Sequence, residues 1–169
     1  MSALRGVTLA ASLLLTLSAC KGHDAARELA VSGIETYWIV DSPQQGQNFI
    51  APAVRFRLKN VGRETLGSVQ ARARFPARGQ EEVWGSIQEQ VSTWQRPLEA
   101  GREAVVTVRS AGRYHAAADP EELLRSPGFE DPRAEIYVRI GSSSWAMLGE
   151  AAVERRIGAP GVEDIVAGR

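Results

Sequence analysis

The chain predicts an all-β body: two antiparallel sheets packed face to face, with one short helix, preceded by an apolar leader. Three observations carry this. Runs of β-branched and aromatic residues recur and are separated by Gly, Pro and Asn. Two of the runs alternate strictly between apolar and polar residues, the period of a strand with one buried and one wet face. Only one segment carries helix signals, and it is about one and a half turns long. A small closed barrel is the alternative arrangement of the same strands.

Residues 1–6 hold one charge, Arg5; residues 7–17 are apolar; Ser18, Ala19 and Cys20 follow, and Cys20 is the sole cysteine. The apolar stretch falls short of the roughly 20 residues a spanning helix needs, and the order of its parts is that of a secretory leader. Residues 21–28 are polar and read as a tether. The first strand is expected at 30–40 and a polar loop at 41–48. In 49–59, Val54, Phe56 and Leu58 share one face and Arg55, Arg57 and Lys59 the other. Asn60-Val61-Gly62 ends that run. Residues 66–75 alternate again, with Val69, Ala71, Ala73 and Phe75 opposite Gln70, Arg72 and Arg74. Pro76-Ala77-Arg78-Gly79 turns the chain. One strand, or two short ones, lies in 81–91, and another in 104–110 after the turn Pro97-Leu98-Glu99-Ala100-Gly101. Asp119 suits a helix cap, Pro120 the first helical position, and Glu121 and Glu122 the positive end of the helix dipole. Strands at 134–140 and 145–153 close the body, and a small polar tail starts at 158.

Leu17-Ser18-Ala19-Cys20 resembles the lipobox of bacterial lipoproteins. The resemblance implies cleavage between Ala19 and Cys20 and two or three acyl chains, palmitate among them, on the Cys20 sulfur. One chain alone binds a membrane marginally, at about 0.8 kcal/mol per buried CH₂. Lys21, rather than Asp, follows the cysteine. In a Gram-negative cell that favours the periplasmic face of the outer membrane. The expected organisation is therefore a cleaved signal at 1–19, a lipid-anchored tether at 20–28, a β-sandwich at 29–157 and a disordered tail at 158–169. With Cys20 acylated, no disulfide forms within the chain.

Phe56-Arg57-Leu58-Lys59-Asn60-Val61-Gly62, the alternating strand through Arg74, and Pro97-Leu98-Glu99-Ala100-Gly101 before Val105 resemble the immunoglobulin-like FxLYD and CARDB modules of bacterial envelope proteins. Those modules carry an apolar strand ending in Asn-x-Gly, a second strand, then Leu-x-x-Gly and a third. The likeness covers about residues 54 to 109. Where FxLYD modules have an aromatic-Asp pair, this chain has Phe75-Pro76. The resemblance implies an immunoglobulin-like sandwich that binds, spaces or assembles rather than catalyses.

Composition gives no pull towards nucleic acid. The chain has 20 basic and 20 acidic residues, and loss of Arg5 with the leader leaves 19 against 20. Two histidines, His23 and His115, cannot complete a four-ligand zinc site, and no calcium-loop spacing is present. No cofactor is expected. His115 and Asp119 lie close in sequence, but no nucleophile setting accompanies them. Two binding surfaces are candidates. Arg55, Arg57, Lys59, Arg72 and Arg74 form one basic surface for an anionic partner if the two strands pair, and divide between two faces if the chain crosses between sheets. Trp38, Trp84, Trp94 and Trp145 are candidates for an aromatic platform on which sugars stack. The expectation is a lipid-anchored, non-catalytic accessory or assembly protein of the envelope. A carbohydrate- or peptidoglycan-binding lipoprotein is second and an envelope hydrolase third.

Overall fold

Alternation along β2 (Gln47–Asn60) buries Val54, Phe56 and Leu58 and leaves Arg57 and Lys59 in water, and the fold is built around that division. The computed structural model describes residues 22–76 and 83–158. β1 (Leu29–Gln44) pairs antiparallel with one edge of β2. β6 (Glu103–Arg109) and then β7 (Tyr114–Ala116) occupy its other edge. In the second sheet β3 (Val69–Pro76), β8 (Arg133–Ile140) and β9 (Ala146–Ala152) lie side by side. β4 (Val83–Gly85) and β5 (Glu89–Ser92) share the free edge of β3. The chain crosses between sheets after β2, after β5 and after β7. This strand order is an immunoglobulin-like two-sheet antiparallel sandwich, not the closed barrel.

The inward residues of both sheets meet in one core. Val54, Phe56, Leu58, Val106 and Val108 come from the first sheet, and Val69, Phe75, Ile136 and Val138 from the second. Two local features differ from the sequence expectation for the first hairpin. Pairing runs out to Gln44 opposite Gln47, so residues 41–48 are mostly strand. The polar composition that suggests a loop is also tolerated on the wet edge of an antiparallel pair. Gln45 and Gly46 make the turn with φ of 52° and 77°, the doubly positive backbone of a two-residue hairpin. Gly33, at φ 58°, sits in a register shift between Ser32 and Glu35 that bends β1. Beyond the bend, β1 turns towards the chain after β9. The Thr36 hydroxyl donates to Ala152 O and accepts from Glu154 N, each at 2.9 Å. Trp38 N donates to Arg156 O and Gly158 N to Trp38 O, which covers this edge of β1.

Among the described residues two helices are present rather than one. α2 (Pro120–Arg125) has the expected start: Asp119 accepts from Glu121 N at 2.9 Å, and Pro120 opens the helix. α1 (Ala25–Glu28) lies in the segment expected as tether. Asp24 accepts from Ala26 N, and Glu28 Oε1 reaches back to Asp24 N at 2.9 Å. Both free N–H groups are thereby capped, and buried Ala25 docks the turn on the sandwich. Burial pushes the Glu28 carboxyl up, but the Asp24 N–H and the His23 imidazole outweigh it and hold it below its ordinary value. Val61 N and Gly62 N donate to Glu28 O, which ties α1 to the segment after β2. The lipobox with Cys20, the turn residues 77–79 and the tail from 159 lie outside the described residues.

Asn60 organises this same end. It is fully buried at the close of β2. Its Nδ2 donates to Glu64 O at 2.8 Å and to Leu98 O at 2.9 Å, and its Oδ1 accepts from Gly62 N at 3.0 Å. Its backbone bonds Arg102 O and Gly101 N. One amide thus joins the 61–66 segment to the turn that precedes β6, which is the physical content of Asn-x-Gly here.

Candidate functional site

Because β2 and β3 belong to different sheets, the five basic residues do not form one surface. Arg55, Arg57 and Lys59 face outward from the first sheet and Arg72 and Arg74 from the second. Several are matched by acids across strands. Arg57 Nη1 lies 3.5 Å from Glu103 Oε1 and Arg74 Nη1 3.9 Å from Glu135 Oε2; Arg55 is in register with Glu35 and Lys59 with Glu103. Such pairs are the ordinary means of solvating a sheet face.

The four tryptophans are dispersed too and make no common platform. Trp38 is fully buried, edge-on to Phe129 at 5.0 Å between ring centroids. Trp84 is half-buried against Tyr114 at 4.5 Å. Trp94 lies exposed in the connection between β5 and β6. Trp145 immediately precedes β9, with its ring on the outer face of the second sheet.

That outer face has the features of a recognition surface. The guanidinium carbons of Arg72 and Arg139 lie 4.3 and 4.6 Å from the Trp145 ring centroid, and Arg72 is also 5.6 Å from Tyr137. Register explains the grouping. Arg72 opposes Tyr137 and Gln70 opposes Arg139 across β3 and β8, and Tyr137 opposes Met147 across β8 and β9. Met147 is 53% exposed. Around the rim, Tyr137 Oη donates to Glu135, Arg133 pairs with Glu150, and Arg139 Nε donates to Gln70 Oε1. Among the described residues, neither Arg72 nor Arg139 has a carboxylate partner, and Arg72 Nε is buried without an acceptor. The patch therefore joins two uncompensated cations to a polarisable aromatic and thioether surface. Arg, Trp, Tyr and Met are the residue types enriched at protein interfaces. Sequence reading found Arg72 and Trp145 separately. It missed Tyr137 and Arg139, whose signal was the alternation of β8, and Met147 on β9.

His115 stands elsewhere. Its side chain is exposed on β7 with its ring 5.8 Å from Phe49, and Asp119 is occupied as the α2 cap. The hollow beside α2 is lined by Tyr114, Leu123, Ser126, Gly128, Phe129 and Glu130, without His115. Among the described residues no three His, Cys, Asp or Glu side chains converge as a metal site. Arg155 secures the α2 region. It donates to both Asp131 oxygens and to the carbonyls of Leu124, Ser126 and Phe129, and the Asp131 hydrogen bond raises its pKa further. Asp41 is a second ion-pair centre. It accepts from Arg109 Nη2 and Nη1 at 2.9 and 3.2 Å, with Arg113 at 3.7 Å.

No protein-family model matches the chain, and neither does any curated protein. Among solved structures it is similar to a structural-genomics target determined by X-ray crystallography, at 9% identity and TM-score 0.43 over 82% of this chain and 92% of that one. It is also similar to a structural-genomics target from Bordetella pertussis assigned as ApaA, at 15% identity and TM-score 0.39 over 75% of this chain and 92% of that one. A calcium-binding mutant of beta-glucuronidase 2 from Bacteroides uniformis follows at 13% identity and TM-score 0.38, over 74% of this chain and 12% of that one. These likenesses are loose, and the sandwich is defined by its own strand order.

Proposed function

We propose that this chain is a lipid-anchored envelope protein without catalytic activity, whose sandwich holds an acidic protein partner on the outer face of β3, β8 and β9. The observation that carries the reading is the pair Arg72 and Arg139 on the Trp145 ring without a carboxylate to neutralise them. A partner carboxylate placed there gains a charge-assisted hydrogen bond, and its apolar neighbours cover Trp145 and Met147. The lipobox at Leu17-Ser18-Ala19-Cys20 supports the address. The test is photocrosslinking in intact cells from position 147, against a control at Lys59 on the opposite face. A specific adduct from 147, lost in Arg139→Glu and Trp145→Ala, is the expected result. Equal adducts from both faces, or an adduct indifferent to both substitutions, refute the assignment.

A further inference from the structure

We infer that the α1 end of the sandwich faces the bilayer and that Trp94 seats in the interfacial layer of the membrane, an inference that rests on the lipid-anchor reading of Cys20. The folding of Asp24–Glu28 onto the body shortens the tether. His23 Nδ1 is already fixed to Glu28 Oε2 at 2.9 Å. Three residue steps then separate Cys20 from a fixed side chain, a reach of at most about 10 Å. A sulfur bonded to lipid lies at headgroup level, so this end of the body cannot stand away from the surface. The opposite end, where α2 lies, is about 40 Å distant along the 14 residues of β2.

The α1 end presents a largely exposed aromatic ring. Trp94 is 82% exposed, the largest value among the described large hydrophobic residues, and Val61 at the same end is 51% exposed. The connection to the anchor is short. His23, Asp24, Arg63 and Glu64 line one groove, and three residues on from Glu64, Gly67 lies under the Trp94 ring. A Cβ at 67 would occupy the space of the ring, so glycine is what lets the indole lie flat on the backbone. Thr93 and Arg96 close the loop that carries Trp94 with reciprocal 3.1 Å backbone hydrogen bonds. Tryptophan is favoured at headgroup level, where its ring is half in hydrocarbon and its N–H stays wet. Arg27, Arg63, Arg96 and Arg102 are matched in number by Asp24, Glu28, Glu64 and Glu99, while Arg139, whose neighbour Ile140 pairs with Val69, adds a cation without a carboxylate partner at this end. The apolar seating of Trp94 is therefore read at high salt, where attraction of such cations to anionic headgroups is screened.

The test uses the full lipidated protein in phosphatidylethanolamine–phosphatidylglycerol vesicles, with and without brominated acyl chains. Brominated lipid should quench a component of the tryptophan emission that is missing in Trp94→Phe, and the quenching should persist at high salt. Because acylation blocks Cys20, an introduced cysteine is the sole free thiol. An environment-sensitive dye on Arg96→Cys should shift to the blue on reconstitution, while the same dye on Glu122→Cys should not. Acyl labelling of Cys20 without Trp94 quenching, or with equal dye emission at the two sites, overturns the seating and leaves the anchor standing. Absence of acyl labelling overturns both. Trp94-dependent sedimentation with purified peptidoglycan, without lipid quenching, overturns the seating in favour of a glycan.

Discussion

Asn60→Ala should be among the most damaging single changes in the chain that leave the hydrophobic core intact. The substitution removes three side-chain hydrogen bonds, to Glu64 O, Leu98 O and Gly62 N. None of the three groups is wholly orphaned. Leu98 O keeps the Leu66 N–H, Gly62 N keeps Glu28 O at 3.2 Å, and exposed Glu64 finds water. The cost is then three net hydrogen bonds at roughly 1 kcal/mol each, not three full desolvation penalties. About 3 kcal/mol corresponds to a fall in Tm of about 10 °C for a domain of this size. Asn60→Asp should cost more at neutral pH, because it sets a carboxylate against two carbonyl oxygens in a buried site. Burial raises the folded pKa of that new carboxyl. Its penalty is therefore absent below the unfolded value, about 3.9, and grows as pH rises above it. Urea unfolding of the mature chain bearing Cys20→Ser, at pH 4 and pH 7, measures both. An alanine variant within 1 kcal/mol of the parent, or an aspartate variant no worse than alanine at pH 7, would refute the role assigned to this amide.

Gln45→Asn should stabilise the protein by about 0.5 kcal/mol, because Asn tolerates the positive φ at 45 better than Gln and Asn-Gly suits this turn; a lowered urea midpoint counts against the turn geometry. Glu28 has a depressed pKa in the folded state, so its contribution is present above the unfolded value of 4.5 and is lost as pH falls through the folded one. Glu28→Gln should flatten the acid limb of stability below about pH 4.5 and cost at most about 1 kcal/mol at pH 7; an unchanged acid limb removes Glu28 from that role. Arg155→Lys should fail to restore what Arg155→Ala loses, since one ammonium cannot span Asp131 and three carbonyls. Hydrogen exchange across 123–131 should quicken in both variants, and full protection with lysine contradicts the bracing.

What could be read from the sequence was whatever a single strand determines by itself. The faces of β2 and β3 follow from period-two alternation, and Asp119-Pro120 fixes the start of α2 by capping chemistry. What could not be read depends on which strand lies beside which. The patch of Arg72, Tyr137, Arg139 and Trp145 joins β3 to β8 and the start of the β9 segment, 65 to 73 residues further along the chain, and only the sheet order brings them together. The same crossing that creates this patch separates Arg57 from Arg74. α1 was missed for a different reason. Its single turn has no apolar periodicity, and it forms because Asp24 and Glu28 cap it and Ala25 finds a place on the sandwich.

The two surfaces also fit one geometry. On the proposed anchor at Cys20, a tether of about 10 Å would leave little freedom to tumble, so orientation at the membrane would be set by whatever the α1 end presents. Trp94 and Val61 stand at that end, whereas the Arg72–Trp145–Arg139 patch lies on a sheet face whose strands run from the α1 end towards the α2 end. If the α1 end seats on the bilayer, that face rises beside the membrane rather than pressing into it, and a partner reaches it laterally. Loss of Trp94 should then weaken partner capture in cells, by loosening orientation, while leaving capture by the detergent-solubilised protein unchanged. Equal loss in both settings would mean that Trp94 touches the partner itself.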